Sequence, residues 1–151
     1  MKSIVRAEPK DALILTKIAI RSEAYWGYNF QFMKKFKSVY KISEDYIEKN
    51  STYIIIDKDI IVGFYGLLIN EREISLEYLF IEPQYIGKGY GKMLWNHMIS
   101  ECKVLNIKEF ALVTSQQAKE FYIKLGAKTC GEVDSLVIKG RKVPKLIYRV
   151  Q

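Results

Sequence analysis

Between Pro83 and Met93 the chain runs Gln84-Tyr85-Ile86-Gly87-Lys88-Gly89-Tyr90-Gly91-Lys92, three glycines and two lysines in nine residues. The segment follows a strand-like run and opens a helical pattern, and that position favours one chemistry. Backbone N–H groups at a helix N-terminus lack intrahelical partners and sit at the positive end of the helix dipole. Glycines at 87 and 89 remove side chains that would hold an anion away. A pyrophosphate can then rest on several N–H groups at once, with Lys88 and Lys92 adding charge. Two other phosphate loops are excluded by spacing. A Walker A loop needs four residues between its glycines and then Lys-Ser/Thr; here Gly87 and Gly91 have three between them, and Met93 follows Lys92. A dinucleotide fingerprint needs G-x-G-x-x-G after the first strand of a βαβ unit; here Lys92 holds the third glycine's place, and the loop follows an antiparallel run.

The elements that position this loop can be read from periodicity. Ile4 to Ala7 is a short strand; Pro9 and Asp11 start a helix with a stripe of Leu13, Ile14, Ile18 and Ile20. An aromatic turn, Tyr25-Trp26-Gly27-Tyr28, precedes a second helix around Phe32, Met33 and Phe36, and Ser43 caps a short helical turn. Thr52–Ile56 and Ile60–Ile69 are strands joined by a hairpin at Asp57-Lys58-Asp59, and Ile74–Ile81 is a third. A helix from about Lys88 to Leu105 follows the loop, with Leu94, Trp95, Met98, Ile99, Cys102 and Leu105 on its apolar stripe. Then come a strand at Glu109–Val113, a helix at Gln116–Leu125 ended by Gly126, and strands at Lys128–Val133 and Val143–Val150. The order β-α-α-β-β-β-α-β-α-β-β predicts an α/β fold: one domain over 1–151, with a mixed central sheet of about seven strands and helices on both faces.

Composition agrees with a globular chain: 49% hydrophobic and 27% charged over 151 residues. The longest apolar run, Ile60 to Ile69, is ten residues, against about 20 for a membrane-spanning helix. Met1 to Lys10 carries charge and no apolar run, so the expected location is cytoplasmic. The net charge of +7 suits an anionic partner without naming it. Cys102 and Cys130 lie 28 residues apart, without a CxxC partner and with only one histidine, so no metal site is expected. Both thiols are expected buried or half-buried, and His97 at the surface.

Three stretches together resemble the GNAT (Gcn5-related) N-acetyltransferase family. Gln84-x-x-Gly87-x-Gly89 matches its Q/R-x-x-G-x-G/A loop, and Ala118-Lys119-Glu120-Phe121-Tyr122-Ile123-Lys124-Leu125-Gly126-Ala127 resembles its downstream helix. Ile138-Lys139-Gly140-Arg141-Lys142-Val143-Pro144 is similar to the terminal hairpin of one branch, and Arg21 to Tyr28 to that branch's first helix turn. Ser115 stands where the family usually has asparagine, Lys139 replaces the hairpin proline, and Tyr25 a frequent histidine.

The resemblance implies a splayed pair of parallel strands, Glu77–Ile81 and Glu109–Val113, holding acetyl-CoA as co-substrate. Leu79, Phe80 and Ile81 would offer backbone groups to its pantetheine arm, one N–H polarising the thioester carbonyl. Gln84, Tyr85, Ile86, Gly87, Lys88, Gly89, Tyr90, Gly91 and Lys92 would hold the phosphates, with Ser115 and Tyr122 also on the cofactor. An alkylammonium must lose a proton before attack, costing about 4.6 kcal/mol at pH 7 if unassisted. A carboxylate acting through water can take it. Glu77 is the candidate, since by strand alternation it shares parity with Leu79 and Ile81; Glu44, Glu71 and Glu73 are alternatives. Tyr122 matches the family tyrosine that protonates the leaving thiolate, and Phe121 beside it is expected in the core.

The predicted activity is therefore N-acetylation of a primary amine, on a small molecule or peptide, by direct attack in a ternary complex. Tyr25, Trp26 and Tyr28 are expected to bind that acceptor. Tyr25–Lys41 and the terminal hairpin are expected to wall its site, and their aromatics and lysines suggest that it is partly apolar and anionic. A non-catalytic acyl-CoA-binding sensor is the alternative. A nucleic-acid module is supported by charge alone and has no helix-turn-helix, RRM or OB signature. Neither a nucleic-acid nor a membrane partner is expected, and the chain is expected as a monomer or homodimer.

Overall fold

A computed structural model describes residues 2–151. The chain runs β1 (Lys2–Arg6), α1 (Ala12–Ala24), α2 (Phe30–Val39), α3 (Glu44–Lys49), β2 (Ser51–Asp57), β3 (Ile60–Ile69), β4 (Ile74–Ile81), α4 (Tyr90–Val104), β5 (Glu109–Val113), α5 (Lys119–Lys124), β6 (Lys128–Asp134) and β7 (Lys142–Arg149). The strands form one sheet in the order β1-β2-β3-β4-β5-β7-β6. All neighbours are antiparallel except β4 and β5. The mixed seven-stranded α/β architecture expected from the sequence is present.

Local chemistry explains several joints. Lys58 and Asp59 take φ of 52° and 65°, the left-handed pair that a two-residue hairpin needs to match strand twist. Asn29 Oδ1 accepts from Phe32 N at 2.8 Å, and Ser43 Oγ accepts from Tyr46 N at 3.0 Å, capping α2 and α3. The buried face of α1 is Leu15, Ile18, Ala19 and Ser22, whereas Leu13 and Ile14 are exposed. Of the expected stripe Ile18 is on the buried face and Leu13 and Ile14 are not: 15, 18, 19 and 22 have the i, i+3, i+4, i+7 spacing of a single face.

Two cores sandwich the sheet. On one face Leu94, Trp95 and Met98 of α4 pack with Tyr65, Leu67, Leu76 and Phe110. On the other, Leu15, Ile18 and Ala19 of α1 and Ile47 of α3 pack with Ile54 and Phe64. Helices therefore cover both faces. Phe36 of α2 is buried and meets Phe80 edge-on, with centroids 6.4 Å apart.

Three expectations need correction. His97 is half-buried: its Nδ1 shares a 2.9 Å hydrogen bond with the Tyr65 hydroxyl, and its ring lies 4.5 Å from Tyr53. Burial lowers its pKa. Cys130 is exposed, where a register shift between Thr129 and Gly131 leaves it without a partner on β7. Phe121 is also exposed, because α5 spans only Lys119–Lys124 and turns that ring toward α4, near Gly91.

Candidate active site

The glycine loop ends later than its sequence pattern implied. A 3-10 turn at Pro83–Tyr85 carries the chain off β4, and α4 starts at Tyr90 with Gly89 as N-cap. Gly87 and Gly89 have φ of 85° and 89°. A Cβ at either would meet nothing within 4 Å, so these glycines are demanded by backbone conformation and not by crowding. Gly91 differs, since a Cβ there would come 3.2 Å from Phe121 Cζ.

Beside the loop the sheet opens. The parallel ladder between β4 and β5 comprises only Ser75↔Ala111 and Leu76↔Leu112. Past those pairs the strands part, and a cavity of about 450 Å³ fills the gap. Its walls are Leu79–Ile81, Leu112–Ser115, the loop, Trp26 and Phe121, with Tyr122 among them. Tyr122 is buried against Trp95, and burial raises the pKa of its phenol, so it stays protonated through the neutral range.

The parting begins at a bulge. Gly66 pairs with Tyr78 and Leu67 with Leu76, which leaves Glu77 as an extra residue in β4. The bulge resets alternation: Leu76, Leu79 and Ile81 pack with the α4 core, Tyr78 and Phe80 with the α1 core. Glu77, the bulged residue, lines the first cavity with Leu79 and Ile81 and the second with Tyr78, and its charge also raises Tyr40, Tyr46 and Tyr78, so simple alternation does not describe it. Desolvation raises the Glu77 pKa.

A second cavity, of about 660 Å³, lies on that side, lined by Tyr28, Phe32, Tyr78 and the β6–β7 hairpin including Leu136, Ile138 and Arg141. The two cavities share Glu23, Tyr40, Leu76, Glu77, Val113–Ser115 and Gln117. Glu23 was not singled out from the sequence. It is half-buried near the end of α1, and desolvation lifts its pKa to about 7. Tyr40, raised to about 12 mainly by burial, feels the charges of both Glu23 and Glu77.

Most of the expected residues meet here. Leu79, Phe80, Ile81, Tyr85, Ile86, Gly87, Gly89, Tyr90, Gly91, Lys92, Ser115 and Tyr122 line the first cavity; Gln84 and Lys88 lie outside its wall and are exposed. Ser115 Oγ accepts from Ala118 N at 3.3 Å, bracing the entry to α5. The aromatic turn divides: Trp26 lines the first cavity, Tyr28 the second, and Tyr25 neither. Glu44, Glu71 and Glu73 line neither, and Glu73 pairs with Lys145 at 3.1 Å. Lys34, Lys35, Lys37 and Lys41 are exposed and outside both cavities, whereas Arg141 and Lys142 of the terminal hairpin line the second. Among the described residues no group of three or more His, Cys, Asp or Glu could hold a metal ion, and no helix is long and apolar enough to cross a membrane.

Comparison with known proteins follows the same lines. A family model described as an acetyltransferase (GNAT) domain matches residues 19–135. YjaB of Salmonella typhimurium, a peptidyl-lysine N-acetyltransferase, is 35% identical over 115 residues, covering 72% of this chain and 72% of its own. The crystal structure of PaiA N-acetyltransferase from Thermoplasma acidophilum, in complex with coenzyme A, superposes with a TM-score of 0.82 at 21% identity over 99% of each chain. The solution structure of apo YjaB from Escherichia coli gives 0.69 at 24% identity, over 99% of this chain and 97% of that one. At these identities the structural matches speak for the fold.

Proposed function

Because this chain belongs to the GNAT acetyltransferase family, and so is an enzyme that uses acetyl-CoA as co-substrate, we propose that it acetylates a primary amine of a small molecule or peptide by direct attack in a ternary complex. The observation that carries this reading is the splay between β4 and β5, open to the glycine loop at one end and to Glu77 and Tyr122 within. The cavity suits its co-substrate. Leu79–Ile81 have no partner strand on the β5 side, so their backbone groups are available to an extended arm. The first-turn N–H groups of α4 and Lys92 are available to phosphates.

In this mechanism a backbone N–H of Leu79–Ile81 polarises the thioester carbonyl, and the acceptor enters through the second cavity. Glu77 receives a proton that the nitrogen loses, and Tyr122 donates one to the departing sulfur. The peptidyl-lysine acceptor named for the Salmonella relative is a primary alkylamine, whose methylenes would suit walls of Tyr28, Phe32 and Tyr78. Two free thiols, Cys102 and Cys130, fit a reducing cytoplasm. A screen of thiol release from acetyl-CoA over an amine library tests the reading. Turnover with at least one primary amine is expected; CoA binding with no thiol release from any of them would make the chain a sensor.

A further inference from the structure

Glu23 is a carboxylate in an unusual situation. It follows the buried Ser22 on α1, so the packing of Leu15, Ile18 and Ala19 carries it partly under the surface. Its nearest cation in sequence is engaged elsewhere: Arg21 grips Glu82 through Nε at 2.8 Å and Nη2 at 2.7 Å. Among the described residues no side chain hydrogen-bonds or ion-pairs with the Glu23 carboxylate. Glu77, set by the β4 bulge, is likewise unpaired, and both line the junction of the two cavities with Tyr40. Glu23 is half-buried and Glu77 more open, and neither carboxylate meets a cation among the described residues, so a cationic ligand entering the junction would answer both charges.

We propose that Glu23 is a second acid–base residue of this site, which holds the acceptor's ammonium group and takes its first proton, so that the acceptor is a cationic alkylamine and not an arylamine. The inference rests on reading the second cavity as the acceptor site. Two carboxylates from different walls, amid the rings of Tyr28, Phe32, Tyr40 and Tyr78, form a cage for an alkylammonium with an apolar stem. An arylamine, neutral at pH 7, would leave both charges unanswered.

Proton accounting supports a role for two carboxylates. The nitrogen loses one proton before attack and another as the C–N bond forms, while sulfur gains one as the C–S bond breaks. Glu23 takes the first and releases it to solvent. Glu77 takes the second, Tyr122 supplies the sulfur's, and one proton passing from Glu77 to Tyr122 restores both.

Glu23, with its pKa raised to about 7, can accept a proton near neutrality. The titratable and charged groups lining the two cavities with it are Tyr28, Tyr40 just past α2, Glu77 and Tyr78 of β4, Arg141 and the Asp134–Lys142 ion pair of the hairpin, and Tyr85, Tyr90, Lys92 and Tyr122 on the loop side. The phenols of Tyr28, Tyr40, Tyr78 and Tyr122 are all raised and remain protonated below pH 10. Glu23, and Glu77 raised in the same direction, are the carboxyls at the cavity junction whose affinity for a proton is increased by burial.

The test is calorimetric, with CoA-loaded protein and hexylammonium as the probe, on wild type, Glu23→Gln, Glu23→Asp and Glu77→Gln. CoA affinity is measured first in all four, so that hexylammonium is compared only at saturating CoA; wild type failing to bind CoA would overturn the functional reading itself. Hexylammonium should bind wild type saturably, about tenfold or more weaker to Glu23→Gln, with partial recovery in Glu23→Asp. Wild-type affinity should also fall between about pH 8 and pH 5.5, more steeply than in Glu23→Gln. Equal hexylammonium affinity in wild type and Glu23→Gln, or no saturable binding by CoA-loaded wild type, overturns the proposal while leaving CoA binding intact.

Discussion

The Tyr28 hydroxyl donates to Gln117 Oε1 at 3.0 Å, tying the turn after α1 to the loop after β5, 89 positions away in sequence. Gln117 lines both cavities and Tyr28 the second, so this bond braces the boundary that the two cavities share. Tyr28→Phe keeps the ring, which stacks on Phe32 at 3.9 Å, and removes the tie. A neutral hydrogen bond is worth about 0.5–1.5 kcal/mol, so the acceptor KM should rise roughly two- to tenfold. CoA affinity should be unchanged; a loss confined to CoA binding would place Tyr28 on the wrong side of the site.

Gly89→Val tests the loop. With φ at 89° and open space around it, the penalty for a side chain is conformational, and a β-branched residue suffers most. The first turn of α4 must then rearrange, and its N–H groups no longer converge on an anion. CoA affinity should fall tenfold or more, roughly 1.4 kcal/mol, with Gly89→Asn less affected because asparagine tolerates the left-handed region. A folded Val variant with wild-type affinity by calorimetry would remove the loop from the binding site.

Tyr122→Phe separates chemistry from packing. The ring contacts with Trp95 and Phe121 survive, so melting temperature and CoA affinity should change little. A phenol whose pKa is raised by burial is a weak acid, and its contribution lies in sharing its proton as charge develops on sulfur, about 10²-fold in kcat. Acceptor KM should be nearly constant. Wild-type turnover with chemistry rate-limiting would make Tyr122 a packing residue.

Glu23→Gln should change stability with a definite sign. A carboxyl whose folded pKa lies near 7, above its ordinary value of 4.5, binds protons more tightly in the native state. Its contribution to stability is complete below about pH 4.5 and is lost as pH rises through 7. The amide carries no charge, so the variant should gain on the order of 1–2 kcal/mol relative to wild type at pH 8, and much less at pH 5. Melting temperatures at the two pH values measure the difference; an equal effect at both would mean that the carboxylate is well solvated.

Much of this was legible because it is local. The strands Ile60–Ile69, Ile74–Ile81 and Glu109–Val113 have the bounds that their apolar and β-branched runs indicate, and Ser43 caps as its position suggests. What escaped depends on tertiary placement. Alternation assigned Glu77 to the face of Leu79 and Ile81, but the bulge at Glu77 itself shifts the count, and no turn residue marks it. Glu23 reads as one more helix glutamate until Arg21 is seen gripping Glu82. Its position directly after the 15-18-19-22 stripe was the available signal. His97 looked exposed because its partner, Tyr65, lies 32 residues away on the sheet.

The bulge and the splay also divide the molecule mechanically. Every other neighbouring strand pair is joined through five or more residue pairs, whereas β4 and β5 are joined through two. The sheet is therefore two blocks, β1 to β4 and β5-β7-β6, fastened by a short weld and by α4, which packs against both. Those amides of Ser75, Leu76, Ala111 and Leu112 that point across the β4–β5 seam should exchange with deuterium through a local opening far below the cost of global unfolding, while those between β2 and β3 should not. A molecule lying in the gap becomes the missing rung of the ladder. Its arrival should tie the two blocks into one cooperative unit, slowing exchange at the seam, so that occupancy of the first cavity should also firm the wall bearing Arg141 against the wall bearing Glu23.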